Sequence, residues 1–362
     1  MTILMTADSV GGVWTHALDL VRGLTARGVR VVLAVMGAPL SLEQRLAADQ
    51  ITGLTIVVRP YKLEWMSEPW AEVDKAGAWL LDLARVWSPD VVHVNGFAHG
   101  ALPFAAPVLI GAHSCVLSWF HEVKRAPATA EWLRYEQSVK RGLANARLIA
   151  TPSRTMALYL IRHYAPRSPV VAIHNGRDTT PYAPAPKEPF VLTAGRLWDE
   201  AKNVGQLASI APAIPWPIYV ADDGAADMPG VKPLGRLATT ALASWYGRAG
   251  IYALPARYEP FGLCVLEAAL SGCALVLGDI PSLRELWDGA ATFVDPDDAM
   301  ALTRALTRLI EDEAHRELMA LLALDRAQRY SVDAMTDAYF AVYRQLASTP
   351  HLAIPGRFAC AS

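Results

Sequence analysis

From end to end, the chain alternates between short apolar runs with almost no charge and amphipathic stretches of helical period. The runs at 2–6, 29–35, 91–94, 106–112, 147–150 and 169–173 read as strands. Between them, 13–28, 71–87, 130–145 and 154–163 read as helices. In the first helix Val13, Ala17, Leu20, Val21 and Leu24 share one face, and Gly28 follows where a left-handed cap favours glycine. Strands that alternate with helices require a parallel sheet whose crossover helices cover both faces.

The alternation breaks once, at HNGRDTTPYAPAPKEP over 174–189, which has four prolines and little apolar periodicity. This stretch reads as an interdomain linker. Strands then resume at 190–195, 217–221, 250–255, 273–278 and 290–294, with helices at 203–211, 239–249 and 262–271. Three helical segments, 297–312, 314–328 and 332–347, precede a tail over 351–362 that carries no strong signal. A length of 362 residues fits two domains of about 100–200 residues each. The expected division is 1–175, 176–330, and a terminal helix with its tail over 331–362. Two open α/β domains enclose a cleft, and such sheets bind ligands at the carboxyl ends of their strands.

Composition removes several classes. With 53% hydrophobic and 19% charged residues the chain is not disordered. Lys and Arg total 33 against 35 acidic residues, so no overall field draws nucleic acid or anionic lipid. Cys115, Cys264, Cys273 and Cys360 are scattered with no C-x-x-C pair, which suggests reduced thiols in a cytoplasmic protein rather than a disulfide framework or zinc site. The thirty residues 91–120 contain no Asp, Glu, Lys or Arg. They do contain His93, His99, His113, Asn95, Pro103 and Pro107, so they read as buried parallel strands with loops, not a membrane span. The N-terminus lacks the basic region of a signal peptide. Peripheral contact with the inner face of the plasma membrane stays open.

Three junctions carry chemistry. Asp8-Ser9-Val10-Gly11-Gly12-Val13 puts two glycines between a strand and a helix, where backbone N–H groups can meet a phosphate or sugar. It is not G-x-G-x-x-G, and no Walker A sequence occurs. In Gly195-Arg196-Leu197-Trp198-Asp199-Glu200-Ala201-Lys202, two cations follow a strand end and suit a diphosphate. In Glu259-Pro260-Phe261-Gly262-Leu263-Cys264-Val265-Leu266-Glu267, the second glutamate lies in an otherwise apolar helix and needs partners there. The backbone of Phe261, Gly262 and Leu263 offers N–H groups at that helix start. His93, His99 and His121 have no metal-ligand spacing, and Asp222-Asp223 is not a D-x-D arrangement, so no metal site is expected. Trp79 and Trp87 are expected in the core. Trp65 and Trp70, in the polar stretch 62–70, are candidates for sugar stacking. The aromatic–basic stretch Trp119-Phe120-His121-Glu122 with Lys124 and Arg125 reads as a surface loop, an acceptor loop or a membrane contact.

E-P-F-G-L-x-x-L-E resembles the E-x7-E motif of the retaining glycosyltransferases of family 4, which have the GT-B fold. The opening G-G-V, His113 after a strand, H-N-G at the linker, G-R-L-x-x-x-K-N, L-G-R-L at 234–237 and an aromatic last helix (Tyr339-Phe340-Ala341-Val342-Tyr343) follow the family's order along nearly the whole chain. At 221–224 the chain reads Ala-Asp-Asp-Gly where the family favours G-D-G or G-E-G.

The resemblance implies a nucleotide-sugar donor held mainly by the second domain. Arg196 and Lys202 would bind its diphosphate, Glu259 the sugar hydroxyls, and Glu267 the ribose. Gly11 and Gly12 would lie against phosphate or sugar, His113 near the reaction centre, and the backbone of Arg236 and Leu237 at the base. The final helix would cross back onto the first domain. The implied reaction transfers a sugar with retention and without a metal or other cofactor. The implied donor is a UDP-sugar by preference and a GDP-sugar second. The implied acceptor is a glycan, lipid-linked or small molecule, as in bacterial polysaccharide or glycoconjugate synthesis. The alternatives are a non-catalytic nucleotide- or glycan-binding subunit and a sugar-nucleotide 2-epimerase.

Overall fold

The computed structural model describes residues 1–196, 198–222 and 228–348. Leu197 of the cationic motif, Asp223 and Gly224 of the acidic loop, and the 351–362 tail with Cys360 lie outside the described residues.

The first unit runs β1 (Thr2–Asp8), α1 (Gly12–Ala26), β2 (Arg30–Met36), α2 (Leu42–Asp49), β3 (Leu54–Val58), α3 (Trp70–Trp87), β4 (Val91–Val94), β5 (Val108–Gly111), α4 (Val116–Trp119), α5 (Leu133–Asn145), β6 (Leu148–Thr151), α6 (Arg154–Tyr164) and β7 (Val170–Ala172). Its strands pair in parallel in the order β3-β2-β1-β4-β5-β6-β7, with Thr2 opposite Arg30 and Ile3 opposite Val91. The second unit runs β8 (Glu188–Ala194), α7 (Val204–Ile210), β9 (Ile218–Ala221), β10 (Lys232–Pro233), α8 (Thr239–Arg248), β11 (Ala249–Leu254), α9 (Leu263–Leu270), β12 (Ala274–Gly278), α10 (Pro281–Trp287) and β13 (Thr292–Val294). The helices α11 (Ala299–Glu311), α12 (Glu313–Ala327) and α13 (Val332–Ser348) follow. Its parallel order is β10-β9-β8-β11-β12-β13. In both sheets the winding reverses beside the first strand, between β1 and β4 and between β8 and β11. Such switch points open a crevice at the carboxyl ends of the strands.

The uncharged strands are explained by burial on both faces. Ile3, Met5 and Leu33 pack into one layer of the first sheet, and Leu4, Val92 and Ile110 into the other. Leu192, Leu254 and Leu275 face one layer of the second sheet, and Val191, Ile251 and Val276 the other. Gly28 takes φ +77, as a left-handed residue past α1 should.

Five short elements carry too little pattern to be read in the sequence. α2 is largely exposed, β3 is a half-buried edge strand, α4 has four residues, β10 has two, and α10 starts at a proline three residues after β12. Three readings are corrected. The linker is shorter than 174–189, because β8 begins at Glu188. Trp87 is 38% exposed at the end of α3, not core. Trp70 opens α3 rather than lying in a loop.

The last helix does return. Met335, Tyr339, Tyr343 and Leu346 of α13 join the core of the first sheet with Leu20 and Leu24 of α1. The two crossings between units touch each other: Arg177 N–H donates to Tyr330 C=O, and a Cβ on Gly176 would collide with the Ser331 carbonyl. No helix among the described residues is long and apolar enough to cross a membrane.

Candidate active site

The expected motifs converge at the facing switch points. Gly11 (φ +79) is the N-cap of α1 and has no side chain to occupy the helix's first N–H groups. A Cβ on Gly11 would stand 3.5 Å from Arg196 Nη1, and one on Gly12 would stand 3.4 Å from Leu263 Cδ1. The glycine loop of the first unit therefore faces the arginine after β8 and the first residue of α9. Gly262 (φ +87) caps α9 without a side-chain bond, leaving a second set of free N–H groups on the same cleft. The left-handed backbone at both positions suits glycine.

Arg196 Nη2 lies 3.5 Å from Asp199 Oδ2, and its guanidinium sits over the Trp198 ring at 5.1 Å. Its side chain is 41% exposed, and Nη1 lies on the side of the Gly11 loop. Lys202 is held differently. Its ammonium is buried and ion-paired with Glu259. Burial pushes the Lys202 pKa down, but the Glu259 carboxylate more than offsets that and the net shift is upward. Glu259 Oε1 also accepts from the Phe261 N–H at 3.4 Å, and its backbone carbonyl accepts from Ser282 Oγ at 2.5 Å. The cation expected on a diphosphate and the carboxylate expected on a sugar are thus one preassembled pair.

Glu267 is not on a solvent edge. It is 8% exposed, and its Oε1 accepts from Arg177 Nε at 2.8 Å. His113 Nε2 stands 2.8 Å from Asn95 Oδ1; Asn95 Nδ2 donates to Thr6 C=O, so His113 Nε2 carries the proton. Arg236 and Leu237 lie in the loop from β10 to α8, Arg236 exposed. At the end of that loop Thr239 N–H donates to Glu43 of α2 at 2.9 Å. The stretch 119–125 forms interface rather than free surface. Trp119 Nε1 donates to Asp199 Oδ1 at 2.9 Å, Lys124 pairs with Glu200 at 2.6 Å, and Arg125 pairs with Asp297. Trp65 stacks on Trp198 across the cleft, with ring centroids 6.5 Å apart. Beside these contacts lies a cavity of about 860 Å³ whose lining includes His121, Arg125, Arg162, Arg257, Asp279 and Asp297. Among the described residues no group of three or more His, Cys, Asp or Glu is placed to hold a metal ion.

Several residues at these contacts carry little or no local signal of their environment in the sequence. Asp8 ends β1, and burial pushes its carboxyl up to about 7, against the pull of the Val10 N–H and the Arg196 charge. Glu285 of α10 accepts from the N–H groups of Arg154 and Thr155, so one unit caps α6 of the other. Arg177 follows H-N-G with nothing local to mark it. Asp19 was hidden in the middle of the α1 apolar pattern, and it is 1% exposed.

Burial lowers the pKa of His113 from 6.5 to about 4 and that of His93 to about 3. Both are neutral near pH 7. The unfolded chain then binds more protons below pH 6.5, so these residues make stability fall as pH drops through that window. Thermal melts should show the decline between pH 6.5 and 4, and His93→Gln should flatten it. An unchanged slope in that variant counts against a buried neutral imidazole.

A model described as Glycosyltransferase Family 4 matches residues 10–181, and one described as Glycosyl transferases group 1 matches residues 188–312. The fold is GT-B: the chain superposes on the HepE protein of Anabaena, solved in complex with UDP-glucose, with a TM-score of 0.77 at 17% identity, covering 95% of this chain and 100% of that one. The chain belongs to glycosyltransferase family 4. Phosphatidyl-myo-inositol mannosyltransferase of Mycolicibacterium smegmatis is 26% identical over 93% of this chain and 90% of its own length. O-antigen chain mannosyltransferase B of Escherichia coli is 25% identical over 52% of this chain, and that match spans 46% of the relative's length.

Proposed function

We propose that this glycosyltransferase moves a sugar from a nucleoside-diphosphate sugar, UDP before GDP, to a hydroxyl acceptor with retention of configuration. The observation that carries the reading is the convergence of Gly11, Arg196, Lys202, Glu259 and the open start of α9 at the two facing switch points. The solved neighbour with UDP-glucose bound supports the choice of base.

As the bond between sugar and phosphate breaks, positive charge grows on the sugar and negative charge on the diphosphate. Arg196 and Lys202 stabilise the leaving group, as do the free N–H groups of α1 and α9. Glu259 orients the sugar hydroxyls while holding Lys202 in place, and Glu267 takes the ribose. His113, neutral with its proton on Nε2 toward Asn95, offers Nδ1 as an acceptor near the reacting sugar. Attack comes from the face the diphosphate leaves, and the leaving oxygen takes the acceptor's proton. These residues supply the charge themselves, so a chelator leaves turnover unchanged; loss of activity in EDTA that a divalent cation restores would refute this. The acceptor enters from the first unit, beside the cavity lined by charged groups of both units, which suits a polyhydroxylated head better than a bare alkyl chain.

The test is a thermal-shift panel of UDP-, GDP-, ADP- and dTDP-sugars. A donor at 100 times its Kd stabilises by about 2.7 kcal/mol. A shift with UDP- or GDP-sugars that Glu259→Ala weakens supports the reading. A flat panel with every nucleotide favours a non-catalytic binding subunit.

A further inference from the structure

Every nitrogen of the Arg177 guanidinium is engaged. Nε donates to Glu267 Oε1 at 2.8 Å, Nη1 to Asp19 Oδ2 at 2.6 Å, and Nη2 to the Tyr182 hydroxyl at 2.7 Å. The group is closed off from water: the side chains of Arg177, Asp19 and Glu267 are 10%, 1% and 11% exposed. Asp19 makes a second pair, with Arg22 at 3.2 Å on its own helix. The two carboxylates come from different units, Asp19 from α1 and Glu267 from α9. Arg177 belongs to neither helix. It sits on the crossing between units, bonded through its backbone to Tyr330 and paired in a bridge with Ser331 of the return crossing.

A buried arginine between two carboxylates is costly unless all three are held together. Here the arrangement has a mechanical consequence. α1 and α9 already meet at their N-terminal ends, where Gly12 lies against Leu263. Asp19 lies seven residues along α1 from Gly12, and Glu267 lies four along α9 from Leu263. The two helices are therefore pinned at two heights. One is the glycine contact beside Arg196; the other is the ionic contact at the hinge. With both points fixed, α1 and α9 can neither tilt apart nor slide along one another, which holds the gap between the glycine loop and Arg196.

We propose that Arg177 is a positioning residue: a buried ionic pivot, bridging Asp19 and Glu267 across the hinge, that sets the closed register of the two units and aims the Glu267 carboxylate at the nucleotide ribose. The second half of this rests on the donor-site reading of the preceding subsection; the first half does not. Arg177 touches no reacting atom. It orders Glu267 by occupying one carboxylate oxygen, and it transmits the position of that residue to α1.

The experiment uses the full chain and three variants, Arg177→Met, Arg177→Lys and Asp19→Asn, each checked for fold by circular dichroism. The first readout needs no ligand. Small-angle scattering should give a larger radius of gyration for Arg177→Met and Asp19→Asn than for the parent chain, with Arg177→Lys between. The second readout is UDP binding by calorimetry. Arg177→Met should weaken it by about tenfold, because the orphaned Glu267 is no longer aimed. Asp19→Asn keeps the Arg177–Glu267 contact, so its UDP affinity should stay within about twofold while kcat falls and donor KM holds. If Arg177→Met is unfolded, Arg177→Lys carries both readouts, with a smaller loss of UDP affinity expected, and Asp19→Asn carries the first. Folded variants with the parent's radius of gyration overturn the pivot. Parent UDP affinity in Arg177→Met overturns the aiming of Glu267. A parent chain that binds no nucleotide but whose variants expand overturns the donor reading alone and leaves the pivot standing.

Discussion

Lys202→Ala should lower turnover by about 10²–10³-fold, the cost of losing one preorganised donor to developing charge. It should also lower the melting temperature. The same substitution strands Glu259, whose side chain is 10% exposed and has lost its counterion. Breaking a buried pair by removing one partner costs about 3–5 kcal/mol. The two losses separate in a second variant. Lys202→Met with Glu259→Gln removes both charges, so most of the stability should return while turnover does not. Arg196→Ala supplies the contrast. Its side chain is 41% exposed and its carboxylate partner stands at 3.5 Å, so turnover should fall as steeply with almost no change in melting. Steady-state rates and thermal melts on the four proteins decide the matter. If Arg196→Ala and Lys202→Ala release nucleoside diphosphate at the parent rate, the two cations are not at the leaving group.

Gly278→Ala should damage the site without touching it. Gly278 ends β12, and a Cβ there would collide with the Ala256 carbonyl and approach the Ala256 nitrogen to 3.0 Å. Both are backbone atoms, so no side chain can swing aside. Ala256 lies three residues before Glu259, so relief shifts either the end of β12 or the loop that carries the glutamate. Overpacking of this kind costs about 1–3 kcal/mol. A displacement near 1 Å at a reacting centre can cost about 10²-fold in rate. The expected result is a modest fall in melting temperature with a disproportionate fall in kcat. A variant that melts early but turns over normally would place the strain elsewhere.

The sequence made the fold legible because a doubly buried parallel sheet leaves a loud trace. Uncharged runs such as 91–94 and 273–278 can hardly be anything else once helices separate them. The site was legible for a related reason. Gly11, Arg196 and Glu259 each follow a strand, and strand ends at a switch point are where ligands bind. What stayed hidden depends on contacts distant in sequence. Nothing local marks Asp19 as the partner of Arg177, or shows that Glu285 caps a helix of the other unit. The state of Lys202 was equally invisible: a lysine six residues after an arginine reads as a second free cation, whereas burial delivers it already bound to Glu259. Trp87 went wrong for the opposite reason, since a tryptophan near a helix end satisfies the helical period without facing the core.

The return of α13 to the first sheet has a consequence for how the molecule is made. The first unit is discontinuous, and the second is inserted between its body and its last helix. Synthesis proceeds from the N-terminus, and domains generally fold as they emerge. The second unit can complete its core as soon as α12 is out. The first cannot: the layer that Tyr339 and Tyr343 fill, against α1 and above His93, stays open until α13 arrives. The unit that emerges first is therefore the one finished last, and throughout elongation its unsealed face is the surface a chaperone would need to shield.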